Sequence, residues 1–150
     1  MFNSQIGKMI MSNIKIKKNK ELDSNIVEFT NVNFKLASGL VLENFKIAFK
    51  TFGSLNKNKT NAILICHALT GDHYVSGLNP ITGREGWWSR MVGPNKPIDT
   101  NKFFVVCSNV LGGCAGSTGP RQKKDNEDIL YGGSFPSITI KDMVNAQANL

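Results

Sequence analysis

The segment most suited to chemistry is residues 67–71, His-Ala-Leu-Thr-Gly, which follows the unbroken apolar run of residues 63–66. A short apolar run of this kind is typical of a strand that is buried on both faces, as in a parallel sheet covered by helices. Ligands of such sheets bind just beyond the carboxyl ends of the strands. Turn residues also follow many strands that have no function. This turn is nevertheless the first place in the chain where we expect a site.

His67, the first residue of this turn, has two possible roles. It can act as a catalytic base. Alternatively, it can hold the turn by hydrogen bonds, since the turn after such a strand can present a backbone N–H to an oxyanion. We favour the second role because His67 directly ends a buried strand. The other histidine of the chain, His73, is expected to be a loop residue.

Two serines lie in glycine-rich segments that resemble the nucleophile elbow Gly-x-Ser-x-Gly. A true elbow lies directly between a strand and a helix, where the serine oxygen is exposed. Ser117 lies instead in the middle of a long loop, and Pro120 and a charged run follow it. Ser134 fails the same test. Neither serine is therefore expected to be a nucleophile, and a triad would in addition need a base from only two histidines.

Phosphate and metal sites are not favoured by the sequence. The glycines at 113, 116 and 119 resemble a phosphate-binding loop, but neither Gly-Lys-Ser/Thr nor the dinucleotide spacing Gly-x-Gly-x-x-Gly accompanies them. Cys66, Cys107 and Cys114 form no Cys-x-x-Cys pair, so that we expect no metal. Free, buried thiols in a reducing cytosol explain these three cysteines best.

The composition is that of one globular domain. The chain has 150 residues, of which 41% are hydrophobic and 19% charged, and such a chain can form a core and is not expected to be disordered. The sequence has no apolar run long enough to span a bilayer, and residues 1–11 lack the continuous apolar core of a signal peptide. Together with the cysteines, these features predict a cytoplasmic protein.

The formal net charge is +7, and lysines cluster near the start of the chain, at Lys8, Lys15, Lys17, Lys18 and Lys20. A basic arm can bind nucleic acid or acidic lipid. No aromatic side chains are interleaved with these lysines, as base stacking with single-stranded nucleic acid would require. We therefore expect residues 1–25 to be a flexible, solvated extension, with no nucleic-acid partner and no membrane partner.

The remaining pattern alternates strands and helices. Residues 32–36 and 40–52 predict an antiparallel hairpin at a sheet edge, and residues 103–107 predict a second buried strand. Capping-box spacings predict one helix over residues 86–92 and another from Ile140 onward. This order of elements predicts an α/β fold with a mainly parallel sheet.

Several motifs, in this order along the chain, resemble the homoserine O-acetyltransferase family: NAILICHALTG from Asn61, GWW from Gly86, SNVLGGCAGSTGP from Ser108 and TIKDMV from Thr139. The resemblance covers roughly residues 26–150. It implies the N-terminal part of an α/β-hydrolase fold, in which an edge hairpin is followed by parallel strands with helices in an incomplete sheet. Members of that family move an acyl group from acyl-CoA to the hydroxyl of homoserine, in methionine synthesis, through a serine acyl-enzyme.

The resemblance also implies roles for individual residues. Leu69 would offer its backbone N–H to the oxyanion, with Thr70 and Asn109 in the pocket wall. The nucleophilic serine, the aspartate and the histidine are expected beyond residue 150, because residues 26–150 correspond to the part of the fold before the nucleophile elbow. No catalytic residue is therefore expected within these residues, and the chain is expected to be inactive alone.

The partners implied by the resemblance are homoserine and an acyl-CoA co-substrate, acetyl-CoA or succinyl-CoA, with no bound cofactor. Serine in place of homoserine as the acceptor stays open. Two interpretations of the chain also stay open. It can be an N-terminal fragment of a homoserine O-acyltransferase, or a non-catalytic remnant or interaction module that pairs with a separately encoded C-terminal half. The oligomeric state stays open between a homodimer and pairing with a C-terminal half.

Overall fold

The computed structural model describes residues 13–124 and 127–150. Within these ranges the chain forms a five-stranded mixed sheet, two small two-stranded sheets and one α-helix. The elements are β1 (Ile14–Asn19), β2 (Ser24–Phe29), β3 (Phe34–Lys35), β4 (Val41–Leu42), β5 (Phe45–Phe52), β6 (Ala62–Ile65), β7 (Val92–Gly93), β8 (Ile98–Asp99), β9 (Phe104–Ser108) and α1 (Ile140–Gln147). No helix within the described ranges is long and apolar enough to cross a membrane.

The main sheet has the strand order β1-β2-β5-β9-β6. Strands β1, β2, β5 and β9 pair antiparallel, whereas β6 pairs parallel with β9 and places Ile63 opposite Val105. Three of the four strand pairings in this sheet are antiparallel, so the prediction of a mainly parallel sheet is wrong for the described strands. The single parallel pair after the antiparallel strands agrees with the N-terminal part of an α/β-hydrolase sheet. Because β6 and β9 are parallel, their carboxyl ends lie at the same edge of the sheet, and the loops that leave them meet there.

The first described strand corrects the prediction of a flexible extension over residues 1–25. Strand β1 pairs along its whole length with β2, from Ile14 opposite Phe29 to Asn19 opposite Ser24. The lysines that dominate the charge alternate here with Ile14 and Ile16, and Lys17 pairs with Glu28 at 2.6 Å. Residues 13–25 are therefore part of the sheet, and residues 1–12 lie outside the described part of the chain.

The hairpin predicted from residues 32–36 and 40–52 is also different in the structure. Strands β3 and β4 form a short ladder of their own, and β5 lies between β2 and β9 in the main sheet instead of at an edge. The long predicted strand is interrupted at Asn44, whose side-chain oxygen accepts the Asn31 N–H at 2.9 Å. The edge hairpin of the main sheet is formed by β1 and β2.

The helix predicted over residues 86–92 is replaced by a series of turns that leads into β7. Trp87 and Trp88 donate their backbone N–H groups to the carbonyls of Tyr74 and Val75, at 3.2 and 2.9 Å. A Cβ on Gly86 would lie 2.5 Å from the Ser76 nitrogen. The segment thus pairs closely with residues 74–76, and these non-local bonds hold its first residues in turns.

Strand β6 is buried on one face only, which corrects the prediction of burial on both faces. Ile65 packs with Val75, Val92, Val105 and Cys107 in an apolar cluster. Leu64, which points to the other face, is 56% exposed. The prediction of a second buried strand is confirmed for β9, in which Val105 and Cys107 are fully buried.

Helix α1 begins with the capping box that the sequence predicted. Thr139 Oγ1 accepts the Asp142 N–H at 3.2 Å, and an Asp142 carboxylate oxygen accepts the Thr139 N–H at 2.9 Å. The other carboxylate oxygen accepts the Ala37 N–H at 2.8 Å, which ties the helix to the turn between β3 and β4. The hydrogen bond from the Thr139 backbone, with smaller contributions from Ala37 and Lys141, lowers the pKa of Asp142.

Candidate active site

The turn after β6 is a tight β-turn over residues 68–71. The Gly71 N–H donates to the Ala68 carbonyl at 2.7 Å, and Leu69 and Thr70 occupy the tip. A Cβ at position 71 would lie 3.1 Å from the Ala68 oxygen and 3.2 Å from the His67 Cβ, so that glycine fits this position best. The Leu69 side chain is 70% exposed. The sequence therefore forms a compact turn whose tip stands out from the sheet edge.

His67 is buried directly beneath this turn. Its Nδ1 lies 2.7 Å from the Ala68 carbonyl oxygen. A carbonyl only accepts hydrogen bonds, so this contact requires the proton on Nδ1. The other ring nitrogen, Nε2, is buried and has no hydrogen-bond partner among the described residues. This geometry agrees with the structural role favoured from the sequence.

The loop that leaves β9 runs back along β5. The Asn109 N–H donates to the Ala48 carbonyl at 2.7 Å. Ser117 closes the loop: its hydroxyl accepts the Ala48 N–H at 2.9 Å and donates to the Asn109 carbonyl at 2.6 Å. Ser117 is 1% exposed, so its oxygen is both buried and fully engaged. This agrees with its exclusion as a nucleophile and gives it a structural task.

Replacement of Ser117 by alanine is expected to destabilise the folded chain by about 1–3 kcal/mol, because it leaves the buried Ala48 N–H and Asn109 carbonyl without their shared partner. Urea unfolding followed by circular dichroism measures the change. The matched control is Ser134→Ala, since the Ser134 hydroxyl donates to an exposed Tyr131 carbonyl and its loss should cost under about 0.5 kcal/mol. Equal effects of the two substitutions would contradict the structural task of Ser117.

The two loops meet around one cavity of about 330 Å³. Its lining includes Leu69 and Thr70 of the turn, Asn109 and Gly113 of the loop after β9, and Met143 of α1. The structure thus brings together the three residues that the sequence placed at the site, Leu69, Thr70 and Asn109. A larger hollow of about 550 Å³ beside β4 contains none of them.

Several residues of the cavity were not singled out from the sequence. Asp72, Cys114 and Met143 also line it. The sequence indicates Met143 only as part of the amphipathic pattern of α1. That pattern does not show which loops the helix faces. A Cβ on Gly113 would lie 2.7 Å from Asn109 Nδ2. The glycine lets the Asn109 amide fold against its own loop, and this close approach depends on loop geometry that no local spacing predicts.

The free thiols are distributed differently from the prediction of buried thiols. Cys107 is buried, which raises the pKa of its thiol to about 12. Cys66 and Cys114 are exposed. Within the described ranges, no group of three or more His, Cys, Asp or Glu residues is arranged to hold a metal ion.

His73 lies in a loop, as predicted, but is completely buried. Its ring packs 4.3 Å from the Tyr74 ring, and neither ring nitrogen has a hydrogen-bond partner among the described residues. Burial, together with the nearby positive charge of Lys50 and the neighbouring His67, lowers the pKa of His73 to about 4.

The buried His73 should make the fold sensitive to acid. Its pKa is about 4 in the folded chain and 6.5 as the reference for the unfolded chain. The unfolded state therefore binds more protons between these values, and stability falls as the pH drops from about 6.5 toward 4, by roughly 3 kcal/mol in all. Urea titrations at intervals between pH 7 and pH 4.5 measure the slope. His73→Phe, which keeps a ring against Tyr74, should flatten it, and an unchanged slope would rule out His73 as its source.

Comparison with known proteins finds a relative named homoserine O-acetyltransferase over most of the chain. No protein-family model matches it. The chain is 60% identical over 116 residues to the curated homoserine O-acetyltransferase of Pelagibacter ubique, a match that covers 77% of this chain and 31% of that enzyme. The chain thus spans about a third of the length of that curated relative.

Two solved structures resemble the fold closely. The homoserine O-acetyltransferase of Bacillus anthracis superposes with a TM-score of 0.71 at 27% identity and covers 84% of this chain and 35% of that one. Esterase E22 superposes with a TM-score of 0.72 at 30% identity, over 84% of this chain and 36% of that one. These likenesses confirm the predicted α/β-hydrolase fold and the resemblance to homoserine O-acetyltransferases.

Proposed function

We propose that these 150 residues are the N-terminal third of a homoserine O-acyltransferase and that they supply the oxyanion side of its active site. The observation that carries the proposal is the meeting of the turn over residues 68–71 with the loop after β9 around one cavity. The identity of 60% to a homoserine O-acetyltransferase supports the choice of reaction.

In the proposed reaction, a serine from the remainder of the protein attacks the thioester carbonyl of acyl-CoA. The carbonyl oxygen becomes an oxyanion, which the Leu69 N–H stabilises from the tip of the turn. Coenzyme A leaves as the thiol, and the homoserine hydroxyl then takes the acyl group from the serine. A donor aimed at a developing oxyanion typically contributes a few kcal/mol to transition-state stability. Thr70 and Asn109 form the wall of the pocket in this proposal.

The substrates proposed are homoserine and either acetyl-CoA or succinyl-CoA, with the CoA compound as a co-substrate and no bound cofactor. The three free cysteines favour a reducing compartment, which we propose to be the cytoplasm. Pairing with a C-terminal half, within one chain or as a second chain, belongs to the proposal because the serine, aspartate and histidine are expected there.

A second candidate function is the hydrolysis of esters. The likeness to esterase E22 is as close in fold as the likeness to the Bacillus anthracis transferase. Both reactions form an oxyanion on an acyl-serine pathway and differ in whether water or homoserine accepts the acyl group.

A chimera tests the proposal. The matched 116 residues of the Pelagibacter ubique enzyme are exchanged for those of this chain, and release of CoA is followed with acetyl-CoA or succinyl-CoA and with homoserine, serine or water as the acceptor. We expect acyl transfer to homoserine. A folded chimera that releases CoA only with water as the acceptor would favour the esterase, and a folded chimera without either activity would favour the non-catalytic remnant.

The isolated 150 residues are expected to show no acyl transfer from acetyl-CoA to homoserine. The two serines in elbow-like segments do not qualify as nucleophiles, since Ser117 is buried and engaged and Ser134 lies in a 3₁₀ turn of an exposed loop. A coupled assay for free CoA measures this directly. Turnover that disappears in Ser117→Ala would overturn the assignment and make the loop serine the nucleophile.

A further inference from the structure

The Ala68 carbonyl is held by two donors. The Gly71 N–H reaches it at 2.7 Å, and His67 Nδ1 reaches it at 2.7 Å from the opposite direction along the chain. A carbonyl oxygen has two lone pairs, so both bonds can form together. One of these donors belongs to the turn itself, and the other is a buried side chain of the residue that precedes it.

The orientation of this carbonyl determines the orientation of the Leu69 N–H. The carbonyl of Ala68 and the N–H of Leu69 belong to the same peptide group, which is planar and trans, so that they point in opposite directions. The carbonyl points inward, toward His67 and Gly71. The N–H therefore points away from His67 and Gly71 and out of the turn, whose tip residues Leu69 and Thr70 line the cavity. It has no hydrogen-bond acceptor among the described residues.

We propose that His67 is a positioning residue, whose Nδ1–H fixes the Ala68–Leu69 peptide so that the Leu69 N–H faces the oxyanion. The inference rests on the proposed function, because it assumes that the cavity holds the acyl group. It also excludes the other role considered for His67. Nδ1 is engaged with a carbonyl, Nε2 is buried, and His67 is absent from the described residues that line the cavity, so the imidazole cannot reach a substrate proton as a base.

Three variants of His67 in the chimera separate positioning from simple packing. Asparagine carries its amide N–H near the place of Nδ1 and can keep the bond to Ala68, whereas glutamine carries its amide near the place of Nε2 and leucine has no donor. We expect His67→Gln and His67→Leu to lower kcat about 10- to 100-fold, with KM for acyl-CoA little changed, since a complete oxyanion donor is worth about 10²–10³. His67→Asn should retain most of kcat. Equal losses in all three variants would reduce His67 to a packing role.

A double substitution tests whether His67 acts through Leu69. In a Leu69→Pro background the N–H is already gone, so the further change His67→Gln should cost less than about threefold in kcat, because both changes remove the same interaction. Losses that multiply would show that His67 acts on something other than the Leu69 N–H. The test compares only ratios of kcat between variants of the same chimera.

A measurement that needs no activity keeps the inference separate from the proposed function. The ¹⁵N spectrum of the folded, histidine-labelled chimera distinguishes a ring protonated on Nδ1 from one protonated on Nε2. We expect His67, whose signals are assigned through their loss in His67→Asn, to carry a proton on Nδ1. A ring protonated on Nε2 alone would overturn the proposal even if the chimera is active, whereas an inactive chimera with Nδ1 protonated would count against the proposed function only.

Discussion

Replacement of Leu69 by proline in the chimera is expected to lower kcat for acyl transfer by about 10²–10³-fold, because it deletes the backbone donor to the oxyanion. The substitution suits the local backbone. Leu69 is the second residue of the turn over residues 68–71, a position at which proline is common in type I and type II turns. The Ala68 carbonyl can keep both of its donors, the Gly71 N–H and His67 Nδ1–H, so that the loss falls on the Leu69 N–H.

The matched variant is Leu69→Ala, which keeps the N–H and removes only a side chain that is 70% exposed. Its kcat should fall by less than about tenfold, since the donor belongs to the backbone. Steady-state kinetics of the two variants, with circular dichroism to compare their folding, shows whether the reaction needs the Leu69 N–H or the Leu69 side chain. Similar losses in both would mean that the leucine side chain, and not the N–H, is what the reaction needs.

The isolated 150 residues are expected to associate or to be poorly soluble because of the free edge of β6. In the described part of the chain, β6 is the last strand of the main sheet and has a neighbour, β9, on one side only. Residues 63–66 contain neither lysine nor proline, and Leu64 is 56% exposed. An apolar edge strand of this kind is a template for pairing with another chain.

The opposite edge of the sheet supplies a matched control. Strand β1 carries Lys15, Lys17 and Lys18, and charges of this kind discourage edge pairing. We expect Leu64→Lys to shift the chain toward the monomer in sedimentation or light-scattering measurements. Ile16→Lys, at a side chain that is 66% exposed on β1, should leave the distribution unchanged. A stable, monodisperse monomer of the unaltered chain would refute the prediction.

The sequence predicted the parts of the fold that depend on local apolar pattern. Strands β6 and β9 follow from their unbroken apolar runs, and α1 follows from a capping box formed as its spacing indicated. The first strand was missed because its lysines dominated the charge, although Ile14 and Ile16 alternate with them. Once β2 is present to pair with, that alternation is sufficient for an edge strand.

The remaining differences depend on contacts between residues that are distant in the sequence or on three-dimensional burial. The segment over residues 86–92 has a local helix signal, but its first residues pair with the Tyr74 and Val75 carbonyls and form turns. His73 has no apolar pattern that indicates complete burial. At the site, motif resemblance selected Leu69, Thr70 and Asn109, which share one cavity, whereas Met143 enters it only through the packing of α1.

Fragment complementation tests most directly whether this chain supplies the oxyanion side of an acyltransferase site. The unaltered 150 residues are co-expressed with the part of the Pelagibacter ubique enzyme that lies beyond its match to this chain, and the purified mixture is assayed with acetyl-CoA and homoserine. We expect neither part to be active alone, and the pair to form O-acetylhomoserine at a rate that Leu69→Pro in this chain lowers at least about a hundredfold. A pair that copurifies as a folded complex but forms no O-acetylhomoserine would contradict the proposed function, as would activity that Leu69→Pro leaves unchanged.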